Sequence, residues 1–243
     1  MVKILAHRGA SKERPENTMS AFKRAAEVGA DGIELDVHLL CDGSLVVHHD
    51  SKLGRCENVK GNIYDFSKEN IKSFSVGDWF SRKYEKEFIP YFIEVLEFLK
   101  GNNLFLNVEI KSDGIFMNNI ADEVVSLLEK YNMINRCIIS SFNHFILKEI
   151  KEKYPRYRVG ILYSDSFCYD VVDYCKAHKF DAIHPNFREV DKNLVKLCHA
   201  NGILVNVWTV DSYGDFLRMK EYGVDTVITN DVTNFKPIQK YTI

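Results

Sequence analysis

Short apolar runs alternate with stretches of helical period along almost the whole chain, and this alternation most limits what the chain can fold into. The runs Lys3–His7, Gly32–Val37, Leu104–Ile110, Cys137–Ser140, Val159–Leu162, Ala182–His184, Leu204–Trp208 and Thr226–Thr229 read as strands. Helical patterns at roughly 18–28, 91–100, 115–131, 143–152, 168–178, 191–200 and 212–221 separate most of them. Such alternation indicates βα units around a parallel sheet, and eight strands fit a closed (β/α)8 TIM barrel. A length of 243 residues suits one such domain, 1–243, better than two.

Two stretches break the rhythm. Leu45–His49 reads as a further strand, joined to the second by Cys41-Asp42-Gly43-Ser44. Asp-Gly between alternating runs signals a two-residue β-hairpin. Counted outward from that turn, Asp36 falls opposite His49, which brings His49 back to the end of the second barrel strand. Residues 51 to about 90 are rich in Lys, Glu, Asn and Ser and weakly periodic, so they read as a small insertion after that strand, overhanging the site. Pro90 is expected at the start of the next helix, where its missing N–H costs nothing.

Composition excludes more than it selects. A hydrophobic share of 46% with 27% charged residues is ordinary for a soluble globular protein. A net charge of −2 gives no general reason to bind nucleic acid or an anionic membrane, so any anion affinity must be local. The six cysteines (41, 56, 137, 168, 175, 198) show no CxxC and no disulfide-scaffold spacing. They read as reduced core-filling side chains. The start of the chain is too short for a signal peptide, and no run approaches the length of a membrane span. The expectation is a complete, cytoplasmic protein; nothing in the sequence fixes its oligomeric state.

The residues that carry chemistry gather at strand ends, where a barrel keeps its active site. Glu34 and Asp36 lie two apart on a strand, so both side chains point to one face, while Ile33, Leu35 and Val37 point to the other. Two like charges aimed into a barrel repel unless a cation or a proton intervenes. The alternative for this pair is a solvated edge strand. The third strand repeats the pattern: Leu104, Leu106, Val108 and Ile110 form an apolar face opposite Phe105, Asn107, Glu109 and Lys111. That makes Glu109 a third carboxylate ligand and Lys111 a phosphate contact, against the blander reading of a structural Glu–Lys pair. Oxygen-only ligands favour Mg²⁺ or Ca²⁺ over zinc.

His7 ends the first strand and Arg8 opens the loop after it. With His49, His7 forms a pair able to divide general acid and general base roles. Arg8 offers a planar fork for phosphate oxygens. Asp50 is expected to support its neighbour His49. In Pro15-Glu16-Asn17-Thr18, Asn17 or Thr18 reads as a helix N-cap. Trp208 either stacks on the aliphatic part of a substrate or plugs the barrel. His184, before Pro185, is a candidate for the rim; His38, His48, His144, His178 and His199 read as structural or surface residues.

These residues resemble the glycerophosphodiester phosphodiesterase family. The resemblance rests on His7-Arg8-Gly9, Pro15-Glu16-Asn17-Thr18, the run from Gly29 to His38, Asp42-Gly43 and Val47-His48-His49-Asp50. It continues through Val108-Glu109-Ile110-Lys111, Ser140-Ser141-Phe142, Val207-Trp208-Thr209-Val210 and the run from Gly223 to Asn230, nearly the whole chain in order. It implies a TIM barrel with an insertion after the His-Asp motif. It also implies that His7 and His49 form the catalytic acid–base pair and that Glu34, Asp36 and Glu109 hold one Mg²⁺ or Ca²⁺. By the same resemblance Arg8 and Lys111 contact the phosphate, and Trp208 faces the glycerol. One departure is Asn230, where the family usually has aspartate.

The implied reaction is hydrolysis of a small-molecule glycerophosphodiester, such as glycerophosphocholine or glycerophosphoethanolamine, to sn-glycerol 3-phosphate and an alcohol. The attacking group is either metal-bound water or the glycerol 2-hydroxyl. The second route passes through a cyclic phosphate and is the one favoured in related phospholipase C-like barrels. Two alternatives stand beside this reading. One is a lysophospholipase D acting on a larger lipid phosphodiester; the other is a silent barrel that binds phosphodiesters or a protein. A silent barrel is expected to have lost a histidine or a ligand carboxylate, and all five are present.

Overall fold

A computed structural model describes residues 1–112, 119–164 and 170–235. Its first half comprises β1 (Lys3–His7), α1 (Met19–Glu27), β2 (Gly32–Leu39), β3 (Leu45–Val47), β4 (Lys52–Leu53), β5 (Gly61–Asn62), α2 (Phe92–Lys100), β6 (Phe105–Ile110) and α3 (Ile120–Lys130). Its second half runs β7 (Cys137–Ser141), α4 (His144–Lys153), β8 (Val159–Leu162), α5 (Val171–His178), β9 (Ala182–His184), α6 (Lys192–Ala200), β10 (Leu204–Val207), α7 (Tyr213–Tyr222) and β11 (Thr226–Thr229). β1, β2, β6, β7, β8, β9, β10 and β11 pair in parallel in that order, and β11 returns to β1. The closed eight-stranded barrel expected from the alternation is present.

The strands place their apolar residues outward. Ile33, Leu35 and Val37 of β2, and Leu106, Val108 and Ile110 of β6, lie in one continuous core with the inner faces of the helices. Phe22 and Ala25 of α1, Val95 and Leu99 of α2, and Val124 and Leu128 of α3 meet them there. Burial of this layer supplies the main drive for closure. Helix starts follow local chemistry: Thr18, Asn143, Asp170, Asp191 and Ser212 each accept a first-turn N–H with a side-chain oxygen. The polar residues of β2 and β6 are left facing the barrel interior.

The hairpin differs from expectation by one residue. β3 pairs antiparallel with the end of β2 as Val37↔Val47, His38↔Val46 and Leu39↔Leu45, so the partner of Asp36 is His48 rather than His49. Leu40 N–H donates to Ser44 O, Gly43 N–H donates to Leu40 O, and Gly43 sits at φ 82°. This is a three-residue loop with glycine in the left-handed position, not a two-residue turn. β3 also ends at Val47, and the chain bends before His49. The bend sends His48 to Glu57, 3.1 Å away, and leaves His49 over the barrel mouth.

Between β3 and α2 the chain builds a satellite of its own. Leu53, Ile63, Ile71, Phe74, Val76 and Ile89 pack with Leu40 and Val46 into a second small core. Pro90 lies outside α2, which starts at Phe92 after Tyr91; Pro90 O instead accepts Val47 N–H. Parts of two expected helices, residues 115–118 and 168–169, and with them Cys168, lie outside the described residues. Among the described residues no helix is long and apolar enough to cross a membrane.

Candidate active site

Parallel register assembles the acidic cluster. Across β2 and β6, Glu34 pairs with Asn107 and Asp36 with Glu109; across β1 and β2, His7 pairs with Glu34. Paired residues of neighbouring strands point to the same face, so the two-residue spacing of Glu34 and Asp36 becomes a three-carboxylate group inside the barrel mouth. One oxygen from each of Glu34, Asp36 and Glu109 lies within 4.8 Å of the others, and all three residues are buried. Burial and the neighbouring carboxylates push Glu34 well up from the usual range and Glu109 up to about 7. Burial also opposes ionisation of Asp36, but Lys111 and Arg8 outweigh it and hold Asp36 low. An all-oxygen donor set in which two carboxylates are driven toward protonation fits a hard divalent cation.

Two cations face this cluster. Lys111 Nζ lies 2.8 Å from Glu109 and 3.5 Å from Asp36. Arg8 is turned over the carboxylates by a left-handed pair, with φ 57° at Arg8 and 80° at Gly9. Its backbone N–H donates to Glu34 Oε2 at 2.9 Å, and its Nη1 donates to Glu16 at 2.8 Å. Arg8 Nε is buried 3.6 Å from Asp36 without a hydrogen-bond partner, a donor held ready for an anion.

The remaining ties around the site were not legible in advance. Thr18 is the N-cap of α1, whereas Asn17, at φ 54°, donates from Nδ2 to Asp36 Oδ2 at 2.8 Å. Asn17 therefore supports the acidic cluster rather than the helix. Glu16 joins Arg8 to Arg55 of the inserted segment, and Arg55 in turn pairs with Asp50. Burial opposes the charge on Glu16, but the two guanidinium groups bring it down to about 2. Arg55 had no signal in the sequence beyond its position in the insertion.

Both predicted histidines line one cavity of about 220 Å³ with Arg8, Glu34, Glu109, Lys111 and Trp208. His7 Nδ1 lies 2.7 Å from Asn230 Oδ1, and His49 Nδ1 lies 2.7 Å from Asp50 Oδ1. Each ring is thus held by its Nδ1, which leaves Nε2 as the free nitrogen. Burial, with Arg8 nearby, brings His7 down to about 4; burial also lowers His49.

Trp208 is half-buried and lines the same cavity. Its indole N–H donates to His184 O at 2.8 Å and its ring meets Phe142 edge-on at 6.0 Å. Asn107, Ser140, Leu162 and Ile228 complete the lining. His184 also lines the cavity but is fully buried, beside Asn206, and burial brings it down to about 3. His38 is buried between Tyr64 and His49 O, His144 meets Leu162 O, His199 pairs with Asp225, and His178 packs on Tyr174 and Phe180.

The Glycerophosphoryl diester phosphodiesterase family profile matches residues 7–234. A glycerophosphodiester phosphodiesterase of Caldanaerobacter subterraneus subsp. tengcongensis is 42% identical over 230 residues, covering 94% of this chain and 93% of that protein. One of Bacillus altitudinis is 35% identical over 233 residues, with 95% of each chain covered. Among solved structures, an Oleispira antarctica phosphodiesterase in complex with the product sn-glycerol-3-phosphate superposes with a TM-score of 0.92 at 25% identity, covering 98% of this chain and 96% of that one. The cavity, its carboxylates and its histidines thus stand in a chain that belongs to the glycerophosphoryl diester phosphodiesterase family.

Proposed function

We propose that this phosphodiesterase hydrolyses small glycerophosphodiesters, such as glycerophosphocholine and glycerophosphoethanolamine, to sn-glycerol 3-phosphate and an alcohol. The observation that carries the reading is the convergence of His7, His49, Arg8, Lys111, Glu34 and Glu109 on one cavity, with Asp36 completing the carboxylate group. Similarity to a phosphodiesterase whose structure holds sn-glycerol-3-phosphate supports the product.

Glu34, Asp36 and Glu109 would hold one Mg²⁺ or Ca²⁺, which when bound polarises a phosphoryl oxygen and neutralises charge on the diester. Arg8 and Lys111 bind the other non-bridging phosphoryl oxygen and stabilise the charge that builds there. With all five groups ionised the cluster carries one net negative charge, which a divalent cation turns into one positive charge matched to a phosphodiester anion. One of the two histidine Nε2 atoms takes the proton of the attacking hydroxyl, and the other gives a proton to the departing alcohol. The attacking hydroxyl is that of glycerol C2, already next to the phosphate, so the first step forms a cyclic phosphate that water then opens. Trp208, in the wall of the same cavity, packs against the glycerol carbons.

The five described cysteines are free and four of them are buried, which supports a reducing, cytoplasmic setting. The test is release of glycerol 3-phosphate from glycerophosphocholine by the purified protein in Mg²⁺, Ca²⁺ or EDTA. Release in one of the metals and none in EDTA is expected. No release from folded protein under any condition would overturn the reading, and turnover of lysophospholipid alone would redirect it to a lysophospholipase D.

A further inference from the structure

Asn230 follows the last barrel strand and faces His7 across the barrel seam. Its amide makes contacts on both sides. Nδ2 donates to Asp211 Oδ2 at 2.7 Å, while Oδ1 accepts from Ser11 Oγ at 2.8 Å and lies 2.7 Å from His7 Nδ1. Asp211 also accepts from the Asn230 backbone N–H at 2.8 Å and from Thr229 Oγ1 at 3.0 Å, so its carboxylate is engaged by donors only.

These contacts settle the orientation of the amide. Turned over, it would set its carbonyl oxygen against the Asp211 carboxylate, acceptor against acceptor. Asp211 therefore keeps Nδ2 on its own side and Oδ1 toward His7. An amide oxygen can only accept, so His7 Nδ1 carries the hydrogen and Nε2 carries the lone pair when the ring is neutral. Nε2 is the atom on the cavity side, 4.0 Å from Glu34 Oε2.

We infer that Asn230, held in one orientation by Asp211, is a positioning residue that fixes the catalytic tautomer of His7. The inference rests on the reading of His7 as an acid–base residue. A carboxylate at 230 would lie at hydrogen-bond distance from Asp211, and two carboxylates there would repel. The amide supplies the acceptor that His7 needs without that repulsion, and it adds no negative charge beside three carboxylates. His49 is held differently, by the carboxylate of Asp50.

The test combines tautomer and kinetics on the full-length protein, in Mg²⁺ and again in Ca²⁺. Imidazole ¹⁵N NMR, with His7 assigned by the signal lost in His7→Gln, is expected to show the Nδ1–H tautomer in the native protein. It should show a mixture in Asn230→Ala. In that variant kcat should fall roughly tenfold to a hundredfold with KM within about twofold, as for loss of the partner that orients an imidazole. Asp211→Asn and Asn230→Asp should each lose activity, and the double variant Asp211→Asn/Asn230→Asp should regain most of it, because the donor and acceptor have only changed places. An Nε2–H tautomer in the native protein, or no recovery in the double variant, would overturn the inference. The NMR result stands whether or not glycerophosphodiesters prove to be the substrate, so the two failures can be told apart.

Discussion

Asp36 and Glu109 are register partners on neighbouring barrel strands, so two carboxylates that are far apart in sequence share one buried wall. Nothing in the apolar packing requires this; the outward faces of the same strands are fully apolar. The cost is visible in Glu109, which burial and Asp36 push up to about 7 despite the nearby Lys111. Such a buried acidic cluster is what the proposed cation site would need.

Glu109→Gln should therefore separate stability from function. The carboxyl of Glu109 titrates higher in the folded metal-free protein than in the unfolded chain. Its favourable contribution is thus complete below the unfolded value near 4.5 and is lost as pH rises through about 7. At pH 8 in EDTA the variant should be the more stable protein, by on the order of 2 kcal/mol, and melt a few degrees higher. Calorimetry with added Mg²⁺ or Ca²⁺ should then raise Tm for the native protein and much less for the variant. A variant that melts lower in EDTA would show that Glu109 is held as a structural ion pair with Lys111.

Acid should weaken the fold well before the carboxylates of the surface are protonated. Burial brings His184 down to about 3 and His38 to about 4. Both depressions favour proton uptake by the unfolded chain, so their contribution is complete above the unfolded value near 6.5 and is lost as pH falls toward those lower values. Each contributes up to about 1.4 kcal/mol per pH unit in that window. Urea unfolding at a series of pH values from 7.5 to 4.5 should show the decline. His184→Gln should make it shallower by about one histidine's share, and an unchanged slope would contradict the assignment.

Trp208 should influence binding more than chemistry. Its indole N–H is tied to His184 O and its ring meets Phe142 edge-on in the cavity wall, contacts that involve none of the proposed reacting groups. Trp208→Ala should raise KM roughly tenfold and leave kcat within about threefold, with Trp208→Phe intermediate. Steady-state kinetics on glycerophosphocholine measures both. A fall in kcat at constant KM would mean that the ring acts on the reacting groups instead.

Strand periodicity explains which parts of this site could be read ahead of the structure. The spacing of Glu34 and Asp36, and the alternation through Glu109 and Lys111, follow from side chains pointing to opposite faces in turn. The pairing of β2 with β6 depends on contacts distant in sequence, and local pattern does not specify it. Asp42-Gly43 marked the hairpin, but Gly43 takes the third loop position, and one extra residue moved the partner of Asp36 from His49 to His48. Asn17 was visible only as a possible cap, because its left-handed φ and its reach to Asp36 arise from the tertiary turn at Arg8. Side-chain bridges such as Glu16 to Arg55 leave no periodic trace at all. Asn230 did leave one, as a departure from the resembling family.

In the proposed reaction His7 acts at the phosphodiester, and ³¹P NMR of glycerophosphocholine turnover tests that most directly. With metal present, the native protein should convert the diester signal to that of glycerol 3-phosphate, with a cyclic phosphate signal passing between them at high enzyme concentration. His7→Ala, folded by circular dichroism, should leave the diester signal unchanged over the same period. Conversion by His7→Ala at the native rate would contradict the account.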